Sequence, residues 1–171
     1  LGAMIAKETM IRSSISPHQI DEVIIGNVAQ PADSANIARV IAVRAGVPYS
    51  VPAYTVHRNC ASGMEAFTSA CSKINNGDAN IILCGGVESM SNIPLLFGKQ
   101  ITDIIAEISR AKSIGHKLKI ISKIRLKFLK PVIGLMQGLT DPLSGLIMGL
   151  TAEKIASNFK ITRQEQDEFA L

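Results

Sequence analysis

The sequence predicts a layered α/β domain, and three observations carry that expectation. Val23-Ile24-Ile25 and Ile81-Ile82-Leu83-Cys84 are short, continuously apolar runs, as in parallel strands covered on both faces. Stretches 34–45 and 61–75 repeat apolar residues at three- and four-residue spacing, as helices do. Strand and helix signals alternate along the chain, which is the order of a sheet with helices packed on it.

The totals agree with a packed chain. Its 171 residues can bury one sizeable core, or one domain plus an appendage. Hydrophobic residues make up 47%, too many for a disordered chain. Aromatic residues are only 4% and Trp is absent, which argues against a base-stacking surface, so no nucleic-acid partner is expected. Cys60, Cys71 and Cys84 form no Cys-x-x-Cys pair and have no metal-ligand spacing. That usage suggests a reducing, cytoplasmic setting, with no disulfide framework and no metal. No apolar run reaches the about 18 residues of a membrane span, and no signal-peptide pattern is present. The chain opens on Leu1 inside a helical pattern and closes on Asp167-Glu168-Phe169-Ala170-Leu171 without a helix stop, so it reads as a piece of a longer protein.

In chain order, residues 1–14 read as a helix with Met4 and Ile5 among its apolar positions, broken by Ser16-Pro17. Val23–Ile25 follows as a buried strand before Gly26-Asn27. The helix at 34–45 places Ile37, Val40 and Ile41 on one side, with Gly46 and Pro48 as its stop. An extended run from Val51 to Val56 leads to the helix at 61–75. There Met64, Phe67, Cys71 and Ile74 share one face, and Asn75-Asn76-Gly77 ends it. Ala79–Cys84 is the clearest strand, with Gly85-Gly86 giving a sharp exit where backbone can pack closely. Between Arg110 and Lys130 stand eight Lys or Arg and no acid. Ile114, Leu118, Ile121 and Phe128 fall on one helical side, and Lys119, Lys123, Lys127 and Lys130 on the other. This predicts a basic amphipathic helix, suited to an anionic membrane surface, an acidic partner, phosphate groups of a ligand, or simply solvent. Gly138–Gly149 interleaves small and apolar residues, as a loop lining a tunnel would. A helix then starts at Thr151, and Thr162-Arg163-Gln164-Glu165 matches a capping box.

Cys60 is the candidate nucleophile. It sits where a strand hands over to a helix, and unpaired amides and the positive end of the helix dipole collect there. Such a place favours thiolate over thiol. Ala61, Ser62 and Gly63 are small enough to let a substrate approach. The competing reading is a buried structural cysteine. Cys71 and Cys84 read as small hydrophobes in the core. Glu88, Ser89 and Ser91 suit either a polar network near the nucleophile, a subunit contact, or turn chemistry with local caps. His18, His57 and His116 read as structural or solvent-facing.

His57-Arg58-Asn59-Cys60-Ala61-Ser62-Gly63-Met64-Glu65-Ala66, then Asn76-Gly77-Asp78-Ala79, then Gly85-Gly86-Val87-Glu88-Ser89-Met90-Ser91-Asn92 closely resemble the thiolase family. The resemblance implies the N-terminal half of a layered αβαβα thiolase fold with a helical loop-domain insertion. Its implied parts are an α/β core at 1–92, a loop domain at 93–150 and return helices at 151–171. It implies an acetyl-CoA acyltransferase that cleaves 3-ketoacyl-CoA with CoA, or runs the reverse Claisen condensation, through a Cys60 acyl-enzyme. Coenzyme A is then a substrate, and no cofactor is expected. Met148 matches the family's acyl-pocket methionine, and Leu139 falls on a CoA-lining position. Ile147 departs from many short-chain biosynthetic thiolases, which have His there. The family's Gly-His-Pro histidine, second cysteine and catalytic asparagine come from its second half. None of those motifs occurs here, so this chain alone is expected to have negligible turnover.

The motif set looks most like the thiolase subunit of the fatty-acid β-oxidation complex. That likeness implies a homodimer or higher assembly. It also implies that 99–130 contacts either the complex's α-subunit or, peripherally, a membrane. Two other readings stay open: a ketoacyl-synthase-type condensing enzyme, against which the Gly-Gly-Val-Glu-Ser-Met-Ser run argues, and a non-catalytic interaction module.

Overall fold

Val23, Ile24 and Ile25 lie at the centre of the sheet in the computed structural model, which describes residues 1–134 and 138–171 and, at Ile133, the backbone alone. Part of the predicted loop domain, 135–137, therefore lies outside the described residues. The chain divides into two compact units, Leu1–Pro94 and Leu95–Leu171.

The first unit is built on a parallel sheet of three strands: β1 (Glu22–Gly26), β2 (Ala53–Val56) and β3 (Ile82–Gly86), in the order β2-β1-β3. Ile24 stands opposite Tyr54 on one side and Cys84 on the other. Alternation along β1 sends its residues into two cores. Val23 and Ile25 join Ala6 and Met10 of α1 (Gly2–Arg12) and Ala38, Ile41 and Ala42 of α2 (Ile37–Arg44). Ile24 joins Ala66 and Ala70 of α3 (Ser62–Asn75) on the opposite face. The sheet is thus sandwiched between helices, with each full burial of a β1 side chain contributing about 2 kcal/mol.

Local chemistry sets the boundaries. Ser16 caps the Pro17–Gln19 turn with a reciprocal capping box. The second helix starts at Ile37, three residues later than its pattern suggests, because Asn36 turns its side chain to the Arg39 amide. Asn36 also donates to the Ala53 carbonyl and accepts from the Thr55 hydroxyl, tying α2 to β2. Gly46 and Gly77 follow α2 and α3 with positive φ of 93° and 78°, as helix ends of this kind require. Asp21 accepts from the amides of Asn80 and Ile81, and these bonds hold its carboxyl below the usual value.

Three expectations for this unit need correction. On α1, Ala6 and Met10 are buried while Met4 and Ile5 stay exposed. On α3, the predicted apolar face is the outward one: Met64 is 65% and Phe67 56% exposed, and Ile74 is also exposed. Ser62, Ala66 and Ala70 are buried instead, because the helix presses so closely on the strands that only small residues fit. The third concerns β3, which begins at Ile82 and packs into both cores, Leu83 into one and Ile82 and Cys84 into the other, but is only half-buried, since it is an edge of this sheet and β1 holds the centre. Cys71 and Cys84 are correspondingly half-buried.

The second unit pairs β4 (Leu95–Leu96) antiparallel with β5 (Val132–Ile133). Between them run α4 (Lys99–Arg110), α5 (Ile114–Ile121) and a 3₁₀ turn at Leu126–Leu129; α6 (Met148–Phe159) and α7 (Arg163–Ala170) follow. The basic segment is not one helix. Arg110 closes α4, Ala111 is extended, and Ser113 restarts the chain by accepting from the His116 amide. The expected apolar side is open, with Ile114 79% and Leu118 61% exposed, while Ile101, Ile104 and Ile120 are buried. α6 begins at Met148, earlier than expected, since Ile147 already accepts from the Thr151 amide. The capping box at Thr162 and Glu165 is present as its sequence suggests. None of the described helices is long and apolar enough to cross a membrane.

Candidate functional site

The carboxyl ends of the three strands carry three short loops, one of which holds Cys60. In open parallel sheets this edge is where ligands bind. Cys60 is exposed, on the turn between β2 and α3. The turn is tight: Asn59 takes a left-handed φ of 47°, which Asn tolerates better than most residues. The Ala61 amide then donates to the Arg58 carbonyl and the Ser62 amide to the Asn59 carbonyl, both at 3.0 Å.

Ser62 pins this turn from inside. It is 4% exposed. Its hydroxyl accepts from the Arg58 amide at 2.8 Å and donates to the Asn59 carbonyl at 2.7 Å. Arg58 pairs with Glu65 one turn into α3, and Asn59 donates to Nδ1 of His57. α3 has no side-chain cap. The Glu65 amide is taken by the Ala61 carbonyl, so the amides of Gly63 and Met64 stay without a partner among the described residues. Unpaired amides at a helix start are donors waiting for a negative atom.

Glycines bring α3 down onto the strand ends. A Cβ on Gly26 would collide with the Ser62 carbonyl and lie 2.7 Å from the Gly63 nitrogen. One on Gly86 would lie 3.1 Å from the Gly63 Cα. Gly26 and Gly86 are register partners across β1 and β3, so the helix start rests on a backbone-only platform. The close packing expected at Gly85-Gly86 is therefore made by Gly86; Gly85 has open space.

Beside it, Glu88 gathers the loop that leaves β1. Its carboxylate accepts from Asn27 Nδ2 at 3.1 Å, the Val28 amide at 2.8 Å and the Ala29 amide at 3.2 Å. Asn27 is 4% exposed and also donates to the Val87 carbonyl at 2.7 Å; its Oδ1 is buried without a partner among the described residues. Ser89 accepts from the Asn92 side chain, as local turn chemistry would have it. From the sequence Gly26-Asn27 marks only a strand end and Ser62 only a small neighbour of Cys60; their part in holding the site is not read there. The signal that could have found them is a polar residue and a glycine closing an apolar strand, and a serine opening a helix.

Leu139 and Met148, the other predicted site residues, belong to the second unit. Both are exposed and flank a turn closed by a bridge between Thr140 and Ile147. Asp141 organises that turn, accepting from the Ser144 hydroxyl and the amides of Ser144 and Leu143, which hold its carboxyl below the usual value. Met148 is the first residue of α6, not part of the loop. His18 and His116 lie outside the Cys60 turn. Among the described residues no group of His, Cys, Asp and Glu is placed to hold a metal ion.

All of residues 1–171 match the thiolase N-terminal domain family. A 3-ketoacyl-CoA thiolase of Pseudoalteromonas translucida is 34% identical over 99% of this chain and 38% of its own length. The mitochondrial trifunctional enzyme subunit beta of Bos taurus is 36% identical over 94% of the chain and 33% of its own. Among solved structures, the Acat5 thiolase of Ascaris suum in complex with coenzyme A superposes with a TM-score of 0.76 at 30% identity, covering 99% of this chain and 39% of that one. The Bacillus anthracis acetyl-CoA acetyltransferase gives 0.74 at 35% identity, over 96% and 36%. The chain thus spans under two-fifths of the length of these two curated relatives. With an α/β fold shared with solved thiolases and a family match along its whole length, this chain belongs to the thiolase family, matching its N-terminal domain.

Proposed function

We propose that this chain carries the nucleophilic half of an acetyl-CoA acyltransferase acting on 3-ketoacyl-CoA. One observation carries the reading: Cys60 is an exposed thiol at an uncapped helix start on the ligand-binding edge of the sheet. In this reaction the Cys60 thiolate attacks the keto carbonyl carbon. The bond between that carbon and its neighbour breaks, and acetyl-CoA leaves as an enolate that takes a proton. An acyl thioester stays on Cys60 until a CoA thiolate attacks it and restores the thiolate. The Gly63 and Met64 amides are donors available to the developing oxyanion. By the family resemblance, Leu139 is assigned to coenzyme A and Met148 to the acyl chain, and Ile147 in place of His weakens an assignment to acetoacetyl-CoA. The base for the Cys60 thiol and the second acid/base that protonates the enolate carbon are groups this reading assigns to a downstream half.

The expected result is acyl capture without turnover. Incubated with acetyl-CoA, the chain gains one acetyl group, found on the peptide containing Cys60 and missing in Cys60→Ala, while steady-state thiolysis stays at background. An acetyl group found instead on Cys71 or Cys84 would refute the assignment.

For the partner, residues 99–130 form an association surface of the kind used by β-oxidation complexes, a reading supported by the likeness to the trifunctional enzyme subunit beta. Exposed Ile114, Leu118 and Leu126 beside Lys117, Lys119 and Lys127, which pair with no acid among the described residues, favour an anionic membrane surface over a protein subunit. Co-sedimentation with phosphatidylcholine–phosphatidylserine vesicles is expected at low salt and lost at high salt. The triple variant Lys119→Gln/Lys123→Gln/Lys127→Gln is expected to bind about tenfold more weakly. Unchanged binding by that variant would remove the membrane reading.

A further inference from the structure

Where α4 turns into α5 the second unit has an open cleft of about 680 Å³, lined by Asp103, Glu107, Arg110, Lys112, Ser113 and His116 among others. Its charges do not cancel. Both oxygens of Asp103 are taken by Lys99, at 2.8 and 2.9 Å, and Glu107 is taken by Lys123 at 3.0 Å. Each acid in the cleft is thereby neutralised by a lysine that is not among the lining residues. Arg110, Lys112 and His116 make no side-chain ion pair or hydrogen bond among the described residues. Two cations and an imidazole therefore face the cleft unopposed.

Ser113, itself a lining residue, caps α5 by accepting from the His116 amide at 3.3 Å, which fixes the helix start beside the cleft. A guanidinium, an ammonium and an imidazole offer more N–H groups than the two oxygens of a carboxylate can accept. The three terminal oxygens of a phosphate ester match them, with the guanidinium supplying a paired contact.

We propose that this cleft is a binding site for a phosphomonoester, held by Arg110, Lys112 and His116. The proposal does not rest on the Cys60 reading; its lipid source extends the membrane reading of residues 99–130, and its soluble source does not. The phosphate can come from a soluble metabolite or from a lipid headgroup, and the two sources separate experimentally. Calorimetric titration of the chain with glycerol 3-phosphate tests the soluble source, and co-sedimentation with phosphatidylcholine vesicles containing phosphatidic acid tests the lipid one. In each arm Arg110→Gln/Lys112→Gln/His116→Gln is compared with Lys154→Gln/Lys160→Gln, which removes two charges of the same unit outside both the cleft and residues 99–130. All five side chains are exposed, so both variants are expected to keep the wild-type far-UV circular dichroism. At least one ligand should bind, with the cleft variant weakened about tenfold or more relative to the other variant. Binding of glycerol 3-phosphate identifies a free phosphomonoester as sufficient; binding of the vesicles alone identifies a headgroup. No binding in either arm, or equal loss in the two variants, overturns the proposal.

Discussion

Gly26→Ala is expected to destabilise the first unit by about 3 kcal/mol or more. The added methyl would meet the Ser62 carbonyl and the Gly63 nitrogen, all backbone, with no flexible side chain to move aside. Relief requires lifting the start of α3 from the strands, which also loosens the packing of Ala66 and Ala70 on Ile24. Gly85→Ala is the matched control, because a Cβ there meets nothing within 4 Å. Urea denaturation followed by circular dichroism should show a large drop in midpoint for the first variant and little change for the second. Equal midpoints would mean that α3 does not rest on Gly26.

Glu88→Ala should cost about 3 kcal/mol, and Glu88→Gln less. The alanine removes the acceptor for Asn27 Nδ2 and for the amides of Val28 and Ala29. Asn27 already has an oxygen without a partner among the described residues, so loss of the carboxylate leaves a buried side-chain amide with one remaining bond there, to the Val87 carbonyl. Glutamine restores one oxygen acceptor without the charge. Hydrogen exchange at Val28 and Ala29 should quicken in the alanine variant; unaltered exchange there would show that the carboxylate does not hold this loop.

Much of this was legible in the sequence because the relevant signals are local. Val23–Ile25 stood out as an apolar run between acids and a glycine, and it is the buried centre of the sheet. The junction at Cys60 and the capping box at Thr162 are set by neighbours a few residues apart. What was hidden depends on distant partners. Periodicity gave α3 an apolar face, yet the stripe that faces the sheet is Ser62, Ala66 and Ala70, because Gly26 and Gly86 demand close approach. The break of the basic segment at Ser113 hinged on one cap within an otherwise helical pattern. β4 and β5 are two residues each, too short to leave any periodic trace. At the site, Cys60 could be read from its position, whereas Ser62 and Asn27 matter through hydrogen bonds that no spacing rule specifies.

The account rests on Cys60 being the one open, reactive thiol of the chain. Cys84 packs against Ile24, Ala66 and Ala70, and burial, with Cys71 adding to it, pushes its thiol above the usual value. Cys71 is half-buried. Limiting iodoacetamide near neutral pH, with peptide mass spectrometry to follow each cysteine over time, compares the three directly. Alkylation of Cys60 at least about tenfold faster than of Cys71 or Cys84 is the predicted result. Modification of Cys60 no faster than of Cys71 would contradict the account and leave the chain better described as an interaction module.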